Sequence, residues 1–460
     1  MQRRYFAQLR PIQAPSNVAT GSSTRLGESS DNRCWLLPQT LIASVALCLY
    51  LNCVTSVSAQ SFVANYDETH VPAYQLPELI DSATAEAADF ETAWKHRREL
   101  LLQLFAQQMY GTAPSSDYSL SCEKLESGPS CDGAALRQQW RVTISTAHGA
   151  LPIDLLVFTP AVSPAAVPTL LCLNFSGNHT VSNDPEIRVT QSWVRENEGA
   201  KTDGNRATAA GRGAVGPHWP IAEVIAAGMG VATAHYGDID PDFDDGFENG
   251  VHALFPDHRP TAEHPERWGS IAAWAWGMSR LLDALETNIP EVDAQRVAAL
   301  GHSRLGKTAL WAGATDQRFA AVISNNSGCG GAALSRRAFG ETVGRINTAF
   351  PHWFCGNFKQ YNNNESALPI DQHQLLALAA PRLLYVASAA GDRWADPHGE
   401  FISLQTAAQV YEHLPSDQSA GGKARAEQRP LQRVGYHLRD GQHNLSAWDW
   451  EHYVRFLGQL

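Results

Sequence analysis

The chain has 460 residues, of which 44% are apolar and 13 are Trp, so it can bury a large core and general disorder is excluded. A formal net charge of −12 excludes a nucleic-acid partner, which would need a basic surface to meet phosphates. The length permits more than one domain, but a large α/β fold takes this many residues as one unit, and one catalytic domain over residues 60–460 is expected.

Residues 1–59 read differently from the rest. Arg3, Arg4, Arg10, Arg25 and Arg33 outnumber Glu28 and Asp31, and residues 35–59 carry no charge. Val57-Ser58-Ala59 offers small side chains where a signal peptidase needs them. A secretory leader cleaved between Ala59 and Gln60 is expected, giving a secreted or periplasmic product. The alternative is an uncleaved membrane anchor, since the apolar run is almost long enough to span.

Cys34, Cys48 and Cys53 fall in this leader. Cys122 and Cys131 bracket a polar segment with Gly and Pro, and Cys329 and Cys355 flank a Gly-rich one. After export either pair could close a disulfide, and whether they are bridged stays open at this point, with Cys172 a buried thiol. No cysteine pair or histidine cluster has zinc spacing, so no metal centre is expected.

In chain order, residues 60–90 form a Pro-rich, acidic arm. Residues 92–110 place Trp94, Leu100, Leu101, Leu104, Phe105 and Met109 at helical spacing, ending at Gly111. Residues 139–145 and 151–158 predict a hairpin around His148-Gly149. Residues 169–174 are almost wholly apolar, as a central parallel strand is, and run into Asn174-Phe175-Ser176-Gly177-Asn178-His179. A long surface loop is expected over 180–217, a helix over 221–227 and a buried strand over 230–235. Residues 238–266 read as a polar insertion near the mouth of a site. Residues 267–287 predict an amphipathic helix containing Trp268, Trp274 and Trp276. Strands are expected over 296–301, 320–324, 382–387 and 433–438, and helical segments over 375–379, 406–413 and 448–460. Residues 415–429 read as a surface loop. Strands alternating with helices predict a mostly parallel, three-layer α/β sheet.

The stretch Gly301-His302-Ser303-Arg304-Leu305-Gly306-Lys307 organises the rest. An apolar run ends at Gly301 and a helix-forming run opens after Ser303, so Ser303 sits on a sharp strand-to-helix turn, the nucleophile elbow of the α/β-hydrolase fold. The usual second glycine is displaced: Leu305 takes its place and Gly306 follows. A serine hydroxyl needs a base, and the base an orienting acid, in chain order Ser, acid, His. His443 follows the last predicted strand, where the base belongs. Asp392 follows the strand before it and is the expected acid; Asp396, four residues on, is its competitor, and either could instead cap the next helix. Arg304 adjoins the nucleophile, and turned inward it would stabilise an oxyanion; the alternative is a surface salt bridge. Lys307, one helical turn on, would face the same cleft.

This elbow resembles that of the glucuronoyl esterases, carbohydrate esterase family 15, in their bacterial branch. The resemblance continues through Ser327-Gly328-Cys329-Gly330-Gly331, Ser335-Arg336-Arg337, Pro351-His352-Trp353-Phe354-Cys355, Asp392-Arg393-Trp394-Ala395-Asp396-Pro397 and the His443 segment. It implies hydrolysis of esters joining lignin alcohols to the carboxyl of (4-O-methyl-)glucuronic acid on xylan, with no cofactor and no metal, by a chain expected to be monomeric. By position it makes Ser303 the nucleophile, His443 the base and Arg304 the oxyanion-hole side chain. Lys307, Glu341 and Trp394 match residues that hold the glucuronoyl hydroxyls, and His352 stands nearest to a further sugar-binding glutamine. One departure is informative. Many members carry Glu in the loop after the strand that follows the elbow, and this chain has Ser324-Asn325-Asn326-Ser327 there. An amide cannot balance an imidazolium, which points again to Asp392. A broad carboxylesterase or acetyl-xylan esterase of the same fold is the nearest rival, and a non-catalytic carbohydrate-binding relative a more distant one.

Overall fold

The computed structural model describes residues 62–115, 117–414 and 433–460. The leader, its cleavage point and the loop at 415–429 lie outside the described residues, as do Cys34, Cys48 and Cys53.

Among the described residues the strands form one sheet: β1 (Ser119–Ser130), β2 (Ala135–Thr146), β3 (Gly149–Pro160), β4 (Val167–Asn174), β5 (Gly230–His235), β6 (Val292–His302), β7 (Ala321–Asn325), β8 (Leu383–Ala389) and β9 (Val434–Arg439). Their spatial order is β1-β2-β3-β5-β4-β6-β7-β8-β9. The first three strands are antiparallel, β3 joins β5 antiparallel, and every pairing from β5 through β9 is parallel. This is the expected α/β-hydrolase architecture.

The central strands are apolar on both faces because helices cover both. Alternate residues divide cleanly. Leu171, Leu173, Ala299, Val322, Leu384 and Val386 pack toward the helices Phe90–Phe105, Ser270–Asn288 and Arg304–Thr315. Leu170, Cys172, Leu300, Ile323, Leu383 and Ala387 face Trp450, Tyr453 and Leu457 of the helix Ala447–Leu457 on the other side. Three layers follow from that period of two.

Two readings are corrected. The segment bracketed by Cys122 and Cys131 is the edge strand β1, which carries Gly128 and Pro129 at its end. Edge strands tolerate proline because one side of their backbone need not pair. Cys122 lies inside the strand and Cys131 just beyond its end, so extended chain holds them roughly 30 Å apart, at about 3.3 Å per residue. Both are thiols, as are Cys172, Cys329 and Cys355. The Cys355 thiol points instead to the Gln107 carbonyl, 3.8 Å away.

Candidate active site

Parallel pairing brings the carboxyl ends of β6, β7, β8 and β9 to one edge, with His302 opposite Asn325 and Ala389 opposite Arg439. Loops beyond that edge carry the candidate residues, as open α/β sheets dictate. Ser303 leaves β6 at φ +59°, ψ −130°, a conformation a serine holds only under constraint. Its N–H donates to the Asn325 carbonyl at 2.9 Å, and its own carbonyl accepts from Gly306 N–H at 2.9 Å. A Cβ at Gly301 would lie 1.8 Å from the Leu305 carbonyl oxygen, and one at Gly306 would lie 2.9 Å from Ser327 Cβ. The elbow therefore requires Gly301 and Gly306, while the Leu305 side chain turns into the core.

His443 and Asp392 are brought together. Backbone bonds join their loops: Ala390 N–H to the Arg439 carbonyl at 2.9 Å and Gly391 N–H to the Gly441 carbonyl at 2.8 Å. The Arg439 guanidinium ties the base loop to itself through the Asp440, Gln442 and Asn444 carbonyls. His443 Nδ1 lies 2.6 Å from Asp392 Oδ2. The Asp392 side chain is 3% exposed and that of His443 43%, so the acid is walled in while the base stays open. Burial raises the Asp392 pKa, but the His443 hydrogen bond and charge, with Asn326 Nδ2 at 2.8 Å, hold it below the ordinary carboxylate value. Asn326, in the loop that lacks the expected Glu, thus positions the acid.

Asp396 does different work. It accepts from Arg337 Nε at 2.8 Å and caps the helix Pro397–His413 through Gly399 N–H at 3.0 Å. On the base's other side, the His302 ring lies 4.5 Å from that of His443. Burial, with the nearby His443, drops the His302 pKa to about 3, so it is neutral, and Nδ1–H donates to Asn325 Oδ1 at 2.6 Å.

Arg304 turns inward, its side chain 19% exposed. Its guanidinium lies 5.0 Å from the Trp353 ring and 5.5 Å from that of Phe175, in the loop after β4. It does form an ion pair, but with a fully buried acid, Asp242. Asp242 also accepts from Tyr236 Oη at 2.9 Å, His352 Nε2 at 3.0 Å, Trp353 Nε1 at 2.7 Å and Arg195 Nε at 3.2 Å. Burial opposes its ionisation, yet these donors and charges hold its pKa far below the ordinary value. Arg304 Nε remains buried with no hydrogen-bond partner among the described residues, as does His352 Nδ1. Sequence reasoning missed Asp242, placing it in an insertion at the mouth. The available signal was its position: three alternate acids, Asp238, Asp240 and Asp242, follow the carboxyl end of β5.

Lys307 is buried, and Nζ donates to the Ser327 carbonyl at 2.5 Å. Burial lowers its pKa, and the charge of Glu341 works against that shift. Glu341, in turn, is raised by burial and opposed by Lys307. Its N–H donates to the Trp394 carbonyl at 3.0 Å, which sets Glu341 and Trp394 side by side. The geometry offers an open imidazole with its acid, a constrained hydroxyl, an inward guanidinium and a buried ammonium.

Residues 262–415 match a family model described as "Glucuronyl esterase, fungi". Carbohydrate esterase MZ0003, from an unknown prokaryotic organism, is 46% identical over 403 residues, covering 87% of this chain and 93% of the relative. The 4-O-methyl-glucuronoyl methylesterase 1 of Phanerochaete chrysosporium is 39% identical over 153 residues, 32% of either chain. Among solved structures, one described as a promiscuous CE15 esterase from the marine bacterial metagenome has a TM-score of 0.77 at 46% identity, covering 86% of this chain and 99% of its own. A glucuronoyl esterase from Solibacter usitatus has a TM-score of 0.75 at 39% identity, covering 85% and 99%. By these relationships, and by the elbow that carries Ser303 and Arg304, the chain belongs to carbohydrate esterase family 15, the glucuronoyl esterases, and is a carboxylic ester hydrolase.

Proposed function

We propose that this chain is a secreted serine esterase that hydrolyses esters of (4-O-methyl-)glucuronic acid, the linkage between glucuronoxylan and lignin alcohols. The observation that carries the reading is the 2.6 Å contact between His443 Nδ1 and Asp392 Oδ2, which leaves Nε2 free to serve the elbow serine. His443 Nε2 takes the Ser303 proton as Oγ attacks the uronate carbonyl carbon. The carbonyl electrons move to oxygen, where Arg304 Nε, lacking a partner, offers a fixed donor. The carbon–oxygen bond to the alcohol then breaks, and the alcohol leaves with the proton from His443. Water, deprotonated by the same imidazole, releases the uronic acid from Ser303.

Recognition of the sugar falls to Lys307, Glu341 and Trp394. Lys307 uses one N–H on the Ser327 carbonyl and keeps two for hydroxyls. His352 would meet a hydroxyl through Nδ1, its Nε2 being engaged by Asp242. Export rests on the leader read in residues 1–59, and a mature protein beginning at Gln60 by mass spectrometry is its test.

Kinetics on methyl and benzyl glucuronate beside acetylated xylose test the substrate. The uronate esters should lead, and Ser303→Ala should lose at least about 10⁴-fold in kcat. Equal rates on all three esters favour a second reading, a broad carboxylesterase, which the relative described as promiscuous also supports.

A further inference from the structure

Glu400 is a fully buried carboxyl that the proposed reaction does not use. It lies in the first turns of the helix Pro397–His413, behind the loop that follows β7. Its Oε1 accepts from Gly328 N–H at 2.9 Å and from Ser327 Oγ at 3.3 Å, and its Oε2 lies 2.5 Å from Ser388 Oγ in β8. Ser327 Oγ receives Ser324 Oγ at 2.7 Å and Ala332 N–H at 2.8 Å, so its own proton is directed at Glu400.

Gly328 N–H and the Ser327 carbonyl belong to one peptide group. Glu400 holds the N–H end of it, and the carbonyl end accepts from Lys307 Nζ. That amide is planar, so fixing one end fixes the other. Gly328 stands at φ +59°, which gives the plane its turn. One residue earlier in the same loop, Asn326 donates to Asp392. A single buried carboxyl therefore braces the peptide that aims Lys307 and the segment that aims the acid.

We propose that Glu400 is a positioning residue of this esterase, acting through the Ser327–Gly328 peptide on Lys307 and through Asn326 on Asp392. The Lys307 half of the assignment rests on the sugar-binding reading above; the Asp392 half does not. Protonated or ionised, Glu400 presents an acceptor oxygen to Gly328, so shape and reach matter more than charge.

The test compares the wild-type enzyme with Glu400→Asp and Glu400→Gln on methyl glucuronate and on 4-nitrophenyl acetate, which has no hydroxyls for Lys307. The Asp variant withdraws the carboxylate by one methylene. It should raise KM for the uronate about tenfold while leaving KM for the acetate unchanged, and should lower kcat on both esters about tenfold. The Gln variant keeps an acceptor for Gly328 and a donor for Ser388, and should return both constants to within about threefold of wild type. A loss in the Asp variant that is equal on both esters with both KM values unchanged overturns the Lys307 half, because that half requires the uronate KM alone to rise. Failure of a folded Gln variant to restore the constants overturns the proposal. Wild-type enzyme that hydrolyses the acetate and ignores the uronate instead overturns the sugar reading. An unchanged acetate kcat in Glu400→Asp overturns the Asp392 half on its own.

Discussion

The guanidinium of Arg304 is held by the carboxylate of Asp242, 62 residues away in the chain and completely buried. That pairing decides where the guanidinium can go: with one end pinned, its unpartnered Nε is fixed beside the elbow. Replacing Asp242 by Asn would leave Arg304 and the half-exposed Arg195 without their shared anion. Asp242→Asn should destabilise the fold by about 3–5 kcal/mol, the usual cost of stranding a buried charge, and lower kcat about 10²-fold. Denaturant melts and steady-state kinetics measure both. Arg304→Lys should not rescue the rate, since a point-charge ammonium cannot bond Asp242 and a carbonyl oxygen in the same fixed fork.

Asp392 and Asp396 should separate cleanly. Asp392→Asn should fold with near-native stability and lose about 10³–10⁴-fold in kcat, because the amide cannot orient and balance the imidazolium. Asp396→Asn should keep kcat within a few-fold and lose about 1–3 kcal/mol, through its helix cap and its buried bond to Arg337. Reversed results would exchange the two roles.

Much of this site was legible because each residue sits where a strand ends. Ser303, Asp392 and His443 follow β6, β8 and β9, and apolar runs mark those strands in the sequence. Asp242 was not legible as a hub, since its donors come from residues 195, 236, 304, 352 and 353 and meet only in three dimensions. Glu400 was hidden for the same reason: in a helix it reads as a solvated charge until β8 and the loop after β7 close over it. Strand β1 was missed because Gly128 and Pro129 carry a turn signal that an edge position overrides.

Glu400 also predicts a pH dependence of stability. Burial first, with the nearby Asp392, raises its pKa from 4.5 to about 7, while Ser388 and Gly328 pull the other way, and its charge is felt by Lys307. A raised folded-state value means the native protein holds a proton that the unfolded chain has lost. The contribution is full below pH 4.5 and disappears as pH rises to about 7. Wild type should therefore lose about 3 kcal/mol relative to Glu400→Gln across that window. Parallel urea melts at several pH values would measure it, and a flat difference would refute it.

The cysteines give a simpler check. Cys122, Cys131, Cys172, Cys329 and Cys355 are all thiols. Reductant should leave Tm unchanged, and the denatured mature protein should alkylate at all five without prior reduction.

Gly306 packs against Ser327 Cβ, and Gly301 against the Leu305 carbonyl, so the helix behind the serine rests directly on the neighbouring loop. Any methyl group added at residue 306 would lift that helix, carrying the nucleophile and the ammonium of Lys307 off their marks together. Pentapeptide searches that demand glycine two residues after the serine would pass over this enzyme, although the clearance it needs is present one step later. What the fold demands is room at a point in space, and the spacing of letters is only its shadow.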